Sequence, residues 1–169
     1  MIWLEEVLGK KRLSRIYKSY SNTFPEEERR GKEQFLSLSD RDEVYIFDIK
    51  TDTETIGYCI IWALKNSFFL EHFEIFEAFR NQNYGSQVMD FLTEKFEKIV
   101  LESEPSTLSE IASRRIAFYE RNGFSIISIK YLQPSYGEGK PEVELYLLSN
   151  FEVKNTDELI TDIHQTVYF

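Results

Sequence analysis

A chain of 169 residues has the length of one domain, and its 42% hydrophobic content, with 14 Phe and 10 Tyr, is ample for one packed core. Its 20 basic and 29 acidic side chains leave a net charge of −9, which argues against nucleic acid as a partner and mildly favours a cationic acceptor such as an amine. No apolar run reaches the length of a bilayer span, residues 1–6 have no basic stretch before a greasy one, and one cysteine, Cys59, excludes an intramolecular disulfide and a thiolate-rich metal site. A cytoplasmic protein that enters no membrane is expected.

Residues 1–7 leave room for a short first strand at most. Leu13, Ile16, Tyr17, Tyr20 and Phe24 recur at three- and four-residue spacing and predict a helix over about residues 9–22. Pro25 suits a first helical position, and Glu26, Glu27 and Glu28 suit the positive end of a helix, so a second helix is expected from there to about Ser39. Val44–Ile49 and Ile56–Leu64 read as a hairpin around Thr51-Asp-Thr-Glu, with Cys59 a small buried residue inside it.

Phe68–Phe76 is a strand by composition, with Glu71, His72 and Glu74 set into it. Alternation puts Glu71 and Glu74 on opposite faces unless a bulge intervenes; His72 and Glu74 share a face but lack a third metal ligand. Arg80-Asn-Gln-Asn-Tyr-Gly85-Ser86 follows, dense in residues that tolerate turn backbones. Val88, Phe91, Leu92, Phe96 and Ile99 then give a helix to about Lys98 one greasy face. A turn at a helix start leaves N–H groups unpaired where the dipole favours an anion, a device for holding phosphate.

Ile99–Glu102 is a short buried strand, closed by Pro105. Thr107 and Glu110 have capping-box spacing before a helix that runs through Arg121, and Asn122-Gly123 ends it as a left-handed cap. Phe124–Leu132 and Val143–Leu148 are strands, with Pro134, Gly137, Gly139 and Pro141 marking the loop between them. Residues 150–169 differ in composition from the main domain at 1–149. They predict a short helix that packs on the domain, joins a homodimer contact, or frays.

Two of these segments, in this order and at this separation, carry a family resemblance. Arg80-Asn-Gln-Asn-Tyr-Gly-Ser86 resembles the coenzyme A pyrophosphate loop of the GNAT N-acetyltransferases, with Asn83 in place of the family's first Gly. Ala117-Phe-Tyr119-Glu-Arg-Asn-Gly123-Phe124 is similar to the end of the family's fourth helix. Phe24-Pro-Glu-Glu-Glu-Arg29 resembles a segment between its first two helices, which implies a place beside the acceptor pocket. The resemblance covers about residues 1–148. It implies an α/β fold with a mixed, mostly antiparallel twisted sheet flanked by helices.

It also implies acetyl-CoA-dependent transfer of an acetyl group to a primary amine, of a small molecule or a protein, by direct attack. Acyl transfer from a thioester needs a neutral amine, a stabilised oxyanion and a proton for the leaving thiolate. A free alkyl amine has a pKa of ~10, so a carboxylate or a water chain ending on one must take its proton. The resemblance implies that main-chain N–H groups of Gln82, Asn83, Tyr84, Gly85 and Ser86 hold the pyrophosphate, with Asn81 in the same turn and Arg80 adding charge. It implies that the main chain of Ile75 and Phe76 meets the pantetheine and thioester where two strands splay.

Tyr119 matches the family's proton donor to the thiolate; read alone, it is also a core aromatic on an amphipathic helix. Many members have a carboxylate near Glu71, so the resemblance makes Glu71 the expected base. From the residues alone, Glu71, Glu74 and His72 all stay open for that role, and a lone strand histidine is structural by default. Ala112 stands where many members have an Asn that contacts the pantetheine arm. With Asn83, it keeps two other readings open: a module that binds acetyl-CoA without turnover, and a structural domain without cofactor.

Overall fold

The run Thr55–Ala63 is apolar almost throughout, and in the computed structural model, which describes residues 1–169, it is a strand buried on both faces. Seven strands form one sheet: β1 (Trp3–Glu6), β2 (Val44–Lys50), β3 (Thr55–Ala63), β4 (Phe68–Ile75), β5 (Ile99–Ser103), β6 (Ser125–Gln133) and β7 (Val143–Ser149), in the order β1-β2-β3-β4-β5-β7-β6. Every neighbouring pair is antiparallel except β4 and β5. The fold is therefore the mixed, mostly antiparallel sheet with flanking helices that the resemblance implies.

Alternation along the strands divides the core in two. Ile46, Tyr58, Ile60, Trp62, Phe69 and Val100 pack on one face against α1 (Lys10–Thr23), α2 (Lys32–Leu36) and α5 (Thr156–Ile163). Phe47, Cys59, Ile61, Leu70 and Leu101 pack on the other against α3 (Tyr84–Phe96) and α4 (Glu110–Arg121). α5 continues into a π-helical turn, His164–Tyr168, and its Ile163 and Val167 are buried in the first cluster. No helix is long and apolar enough to cross a membrane.

Two helix expectations need correction. The second helix is not continuous from Pro25 to Ser39. A 3-10 turn, Glu26–Glu28, is followed by extended Arg29 and by Gly31, which precedes α2. The break lets Arg30 turn inward: its N–H donates to the Tyr20 hydroxyl at 2.7 Å, and its side chain lies in the core. Before α4, the capping side chain is Ser109, which accepts from the Ala112 N–H at 3.0 Å, not Thr107. The far end closes as expected, with Gly123 at φ 88° and the Phe124 N–H bonded to the Tyr119 carbonyl.

One irregularity positions the site. β4 and β5 pair only through Phe68↔Ile99, Phe69↔Val100 and Leu70↔Leu101, and then separate. At the same point the β3–β4 register skips Glu71, since Ile60 faces His72 and Ile61 faces Leu70. The extra residue is a bulge. It puts Glu71 on the same face as His72 and Glu74, so both carboxylates point toward α1 and α2.

Candidate active site

The turn after β4 leaves its donors free. Asn81 and Asn83 take left-handed φ values of 62° and 61°, and α3 starts at Tyr84. The N–H groups of Asn81, Gln82 and Asn83 have no acceptor in the chain. Those of Tyr84, Gly85 and Ser86 precede the first bond of the helix ladder, from the Gln87 N–H to the Asn83 carbonyl. Asparagine takes this conformation at less cost than other residues with a Cβ, so Asn83 holds a turn that glycine would otherwise make. Gly85 packs closely: a Cβ there would lie 3.2 Å from the Phe118 ring of α4. Arg80 is steadied by a bond from Nε to the Ile75 carbonyl at 2.9 Å and stays half-exposed beside the turn.

The two main-chain positions at the splay differ. The Phe76 N–H donates to the Ile56 carbonyl at 2.9 Å and is committed to β3. By alternation Ile75 faces the gap instead. Of the pair singled out in the sequence, Ile75 leaves its N–H toward the gap while its carbonyl is taken by Arg80, and the Phe76 amide is not free.

Between the separated ends of β4 and β5 lies a cleft of about 740 Å³, whose lining includes Arg80 and Asn81 as well as Phe24, Pro25 and Glu28. Tyr119 reaches it from α4. Burial pushes its phenol above the ordinary value, so it stays protonated at neutral pH. Ala112 is fully buried, seven residues back on the same helix.

Glu71 is the counter-ion of a buried cation, which makes its carboxylate less basic. Its carboxylate, 1% exposed, pairs with the buried guanidinium of Arg30 and accepts from Trp62 Nε1 at 2.9 Å and the Tyr136 hydroxyl at 2.7 Å. Burial pushes its pKa up, but Arg30, His72 and these bonds pull it below the ordinary value. Arg30 also stacks on Trp62 and Tyr136, with its guanidinium 5.4 and 5.0 Å from the ring centroids. Glu74 is likewise engaged, accepting from Ser19 at 3.0 Å and Thr23 at 2.7 Å. His72 lies against Tyr20 and Phe24, and burial lowers its pKa to about 4, so its ring is neutral. No group of side chains could hold a metal ion. Cys59 is fully buried, and burial pushes its thiol up to about 12, which suits the apolar role expected of it.

A second buried carboxylate, Glu102, lies on β5 across the cleft. It accepts from the hydroxyls of Tyr131 at 2.5 Å and Tyr168 at 2.8 Å and from Gln133 Nε2 at 3.2 Å, with no cation among its partners. Burial pushes its pKa up to about 8, the hydroxyls draw it down, and Glu71 and Glu28 raise it. Ser103 Oγ and Gln133 Oε1, both buried beside it in the cleft wall, have no partner in the chain. The sequence carries one faint signal for Glu102, an acid closing an otherwise apolar strand, and none for Arg30, Tyr131, Tyr136 or Tyr168.

A splayed parallel pair beside a turn of free amides is the ground plan of an acyltransferase that takes a thioester of coenzyme A. The chain belongs to the GNAT acetyltransferase family: the family model of the acetyltransferase (GNAT) domain matches residues 40–126, just over half of its length. Among solved structures, a GNAT-family protein from Bacteroides thetaiotaomicron is 29% identical, with a TM-score of 0.90 over 98% of each chain. Two more distant structures share the fold. The ribosomal-protein-S18-alanine N-acetyltransferase of Escherichia coli is 15% identical, with a TM-score of 0.63 over 92% of this chain and 98% of its own. Arabidopsis thaliana NAA60, solved in complex with acetyl-CoA, is 14% identical, with a TM-score of 0.64 over 88% and 97%. No curated protein matches the sequence.

Proposed function

We propose that this chain is an acetyl-CoA-dependent N-acetyltransferase acting on a primary amine by direct attack, with residues 1–149 as its catalytic domain. The observation that carries this reading is the row of free amides from Asn81 to Ser86, beside a cleft that opens where β4 leaves β5. Donors with no acceptor in the chain, at the positive end of a helix, fit a diphosphate. Arg80 adds a cation at the same corner, and the Ile75 N–H, which faces the gap, suits an extended amide-bearing arm.

Acetyl-CoA supplies the acetyl group and a thiolate leaving group. Glu102, in its ionised form, takes the proton of the attacking amine. A carboxylate with a pKa near 8 is poised for this, since proton transfer works best when the base is matched to working pH. Tyr119 gives its proton to the departing sulfur and recovers one from solvent. Glu71, expected from the sequence as the base, instead acts as the counter-ion of Arg30 and shapes the cleft floor.

The reading is supported by the family and by a structural neighbour solved in complex with acetyl-CoA. Calorimetry with acetyl-CoA, then thiol release over a panel of primary amines, tests it. Binding is expected in the wild type, Tyr119→Phe and Glu102→Gln alike, with turnover about 10²-fold lower or worse in both variants. Absence of binding heat would sink the cofactor assignment. Wild-type turnover in either variant would remove that residue from the chemistry.

A further inference from the structure

Beyond the span that the family model matches, Gln133 lines the cleft, and Tyr136 and Tyr168 stand behind it, bonded to the lining carboxylates Glu71 and Glu102. We infer that Tyr168, at the end of the C-terminal helix, is a positioning residue of this site: with Tyr131 and Gln133 it fixes the Glu102 carboxylate between β4 and β5, so residues 156–169 form a working part of the acceptor half. The use of Glu102 as a base rests on the function proposed above; its fixing by Tyr168 does not.

The Tyr168 hydroxyl lies 2.8 Å from one Glu102 oxygen and 3.0 Å from the other, a contact spread over the whole carboxylate. It also lies 3.3 Å from Gln133 Nε2, which itself donates to Glu102, and 3.5 Å from the Tyr136 hydroxyl, which donates to Glu71. Two neighbouring hydroxyls thus lie under the cleft, Tyr136 donating to the carboxylate of β4 and Tyr168 to that of β5. The two carboxylates are held by opposite means. Glu71 has a cation, whereas Glu102 has hydroxyl and amide donors only. The groups facing Glu102 are Tyr131 and Gln133 from β6, Tyr168 from the C-terminal turn, Glu71 from β4 and Glu28 from the 3-10 turn; the three donors favour its ionised form and the two acids oppose it.

The last turn is tied down well enough to do this. Ile163 and Val167 are buried. The free carbonyls of that turn accept from two arginines, Thr166 from Arg41 and Val167 from Arg30, each at 3.0 Å. Arg30 therefore holds Glu71 with one nitrogen and the C-terminal main chain with another. A hydroxyl that only filled space would need neither the bifurcated contact nor this anchoring.

The test is a pH titration of the Glu102 carboxyl carbon by NMR in full-length protein carrying 13C-labelled glutamate, assigned with Glu102→Gln. It needs neither acetyl-CoA nor an acceptor. Tyr168→Phe keeps the ring and removes one donor to the ionised form, so the midpoint should move above its wild-type position near 8, by about 0.5–1 unit. Tyr131→Phe should move it in the same direction. Equal midpoints in the wild type and Tyr168→Phe overturn the inference. If Tyr168→Phe fails to fold, the Tyr168 Cζ resonance of the wild type serves in its place. It should step at the Glu102 midpoint and lose that step in Glu102→Gln, and a flat trace overturns the inference equally. A shifted midpoint in a protein that binds no acetyl-CoA would leave the positioning role standing and remove the proposed activity.

Discussion

The two ends of the cleft are made of different materials. The turn before α3 offers main-chain amides from one short stretch of sequence, Asn81 to Ser86, and its side chains are largely spectators. The opposite floor is a buried side-chain network drawn from Arg30, Glu71, Glu102, Tyr131, Tyr136 and Tyr168, spread across most of the chain. A backbone site needs only a local conformation, so many sequences can build it. A side-chain site needs the whole fold to bring its members together, and each buried polar group depends on the others for its partner. Losses should therefore be large on the floor and small at the turn.

The largest should come from Arg30→Ala. It leaves the Glu71 carboxylate buried without its cation and unties the Val167 carbonyl. Breaking one side of a buried pair costs about 3–5 kcal/mol, measurable by urea unfolding. The double variant Arg30→Met with Glu71→Leu should regain most of it, because the cost lies in the orphaned charge. A loss below ~1 kcal/mol in the single variant would contradict a floor held by mutual dependence.

Next comes pH, where the floor's carboxylates pull in opposite directions. Folded Glu102, near 8, keeps a proton that the unfolded chain releases near its ordinary 4.5. Its contribution is full below that value and is lost as pH rises to about 8. His72, lowered from 6.5 to about 4, contributes above 6.5 and loses that contribution as pH falls to about 4. Glu71, held below its ordinary value by Arg30, adds to the loss on the acid side. Glu102→Gln should remove the alkaline decline, by about 2–4 kcal/mol between pH 5 and 8, and leave the acid side in place. An unchanged alkaline limb would mean that Glu102 titrates normally.

At the turn, Gly85→Val should be the most damaging change. Its side chain must displace the Phe118 ring, which leaves only 3.2 Å to the first side-chain carbon at this position. Overpacking of this kind costs about 1–3 kcal/mol, and the displaced amides should weaken acetyl-CoA binding about tenfold in calorimetry. Unaltered affinity would mean that the start of α3 is not where the cofactor is held.

What could be read in the sequence follows the same division. The order of strands and helices, the turn at 80–86 and the cap at Gly123 are local patterns of period or turn chemistry, and apart from the broken second helix they stand at the expected residues. The bulge at Glu71 is admissible from the spacing of Glu71 and Glu74 but not required by it. Arg30 is hidden because an Arg beside Arg29 in a polar stretch reads as surface, and only the cavity between Trp62, Glu71 and Tyr136 makes it a core residue. The same holds for Tyr168. Nothing near it in sequence says that its hydroxyl meets a carboxylate 66 residues away.

The smallest effect, and the sharpest test of a turn that works through its backbone, is Asn83→Gly. Asn83 has a left-handed φ of 61°, and its side chain makes no capping bond to α3. Glycine adopts this conformation without the Cβ penalty but gives up more freedom on folding, so the two effects largely offset and stability should change by less than ~1 kcal/mol. If only the amides of this turn grip the diphosphate, the affinity for acetyl-CoA should match the wild type or improve slightly, because a side chain beside the phosphates has been removed. Asn83→Val should fail on both measures, since a β-branched residue resists positive φ. A clear loss of affinity in Asn83→Gly with stability intact would show that the asparagine side chain takes part in binding, and the two ends of the cleft would then differ less than their hydrogen bonds suggest.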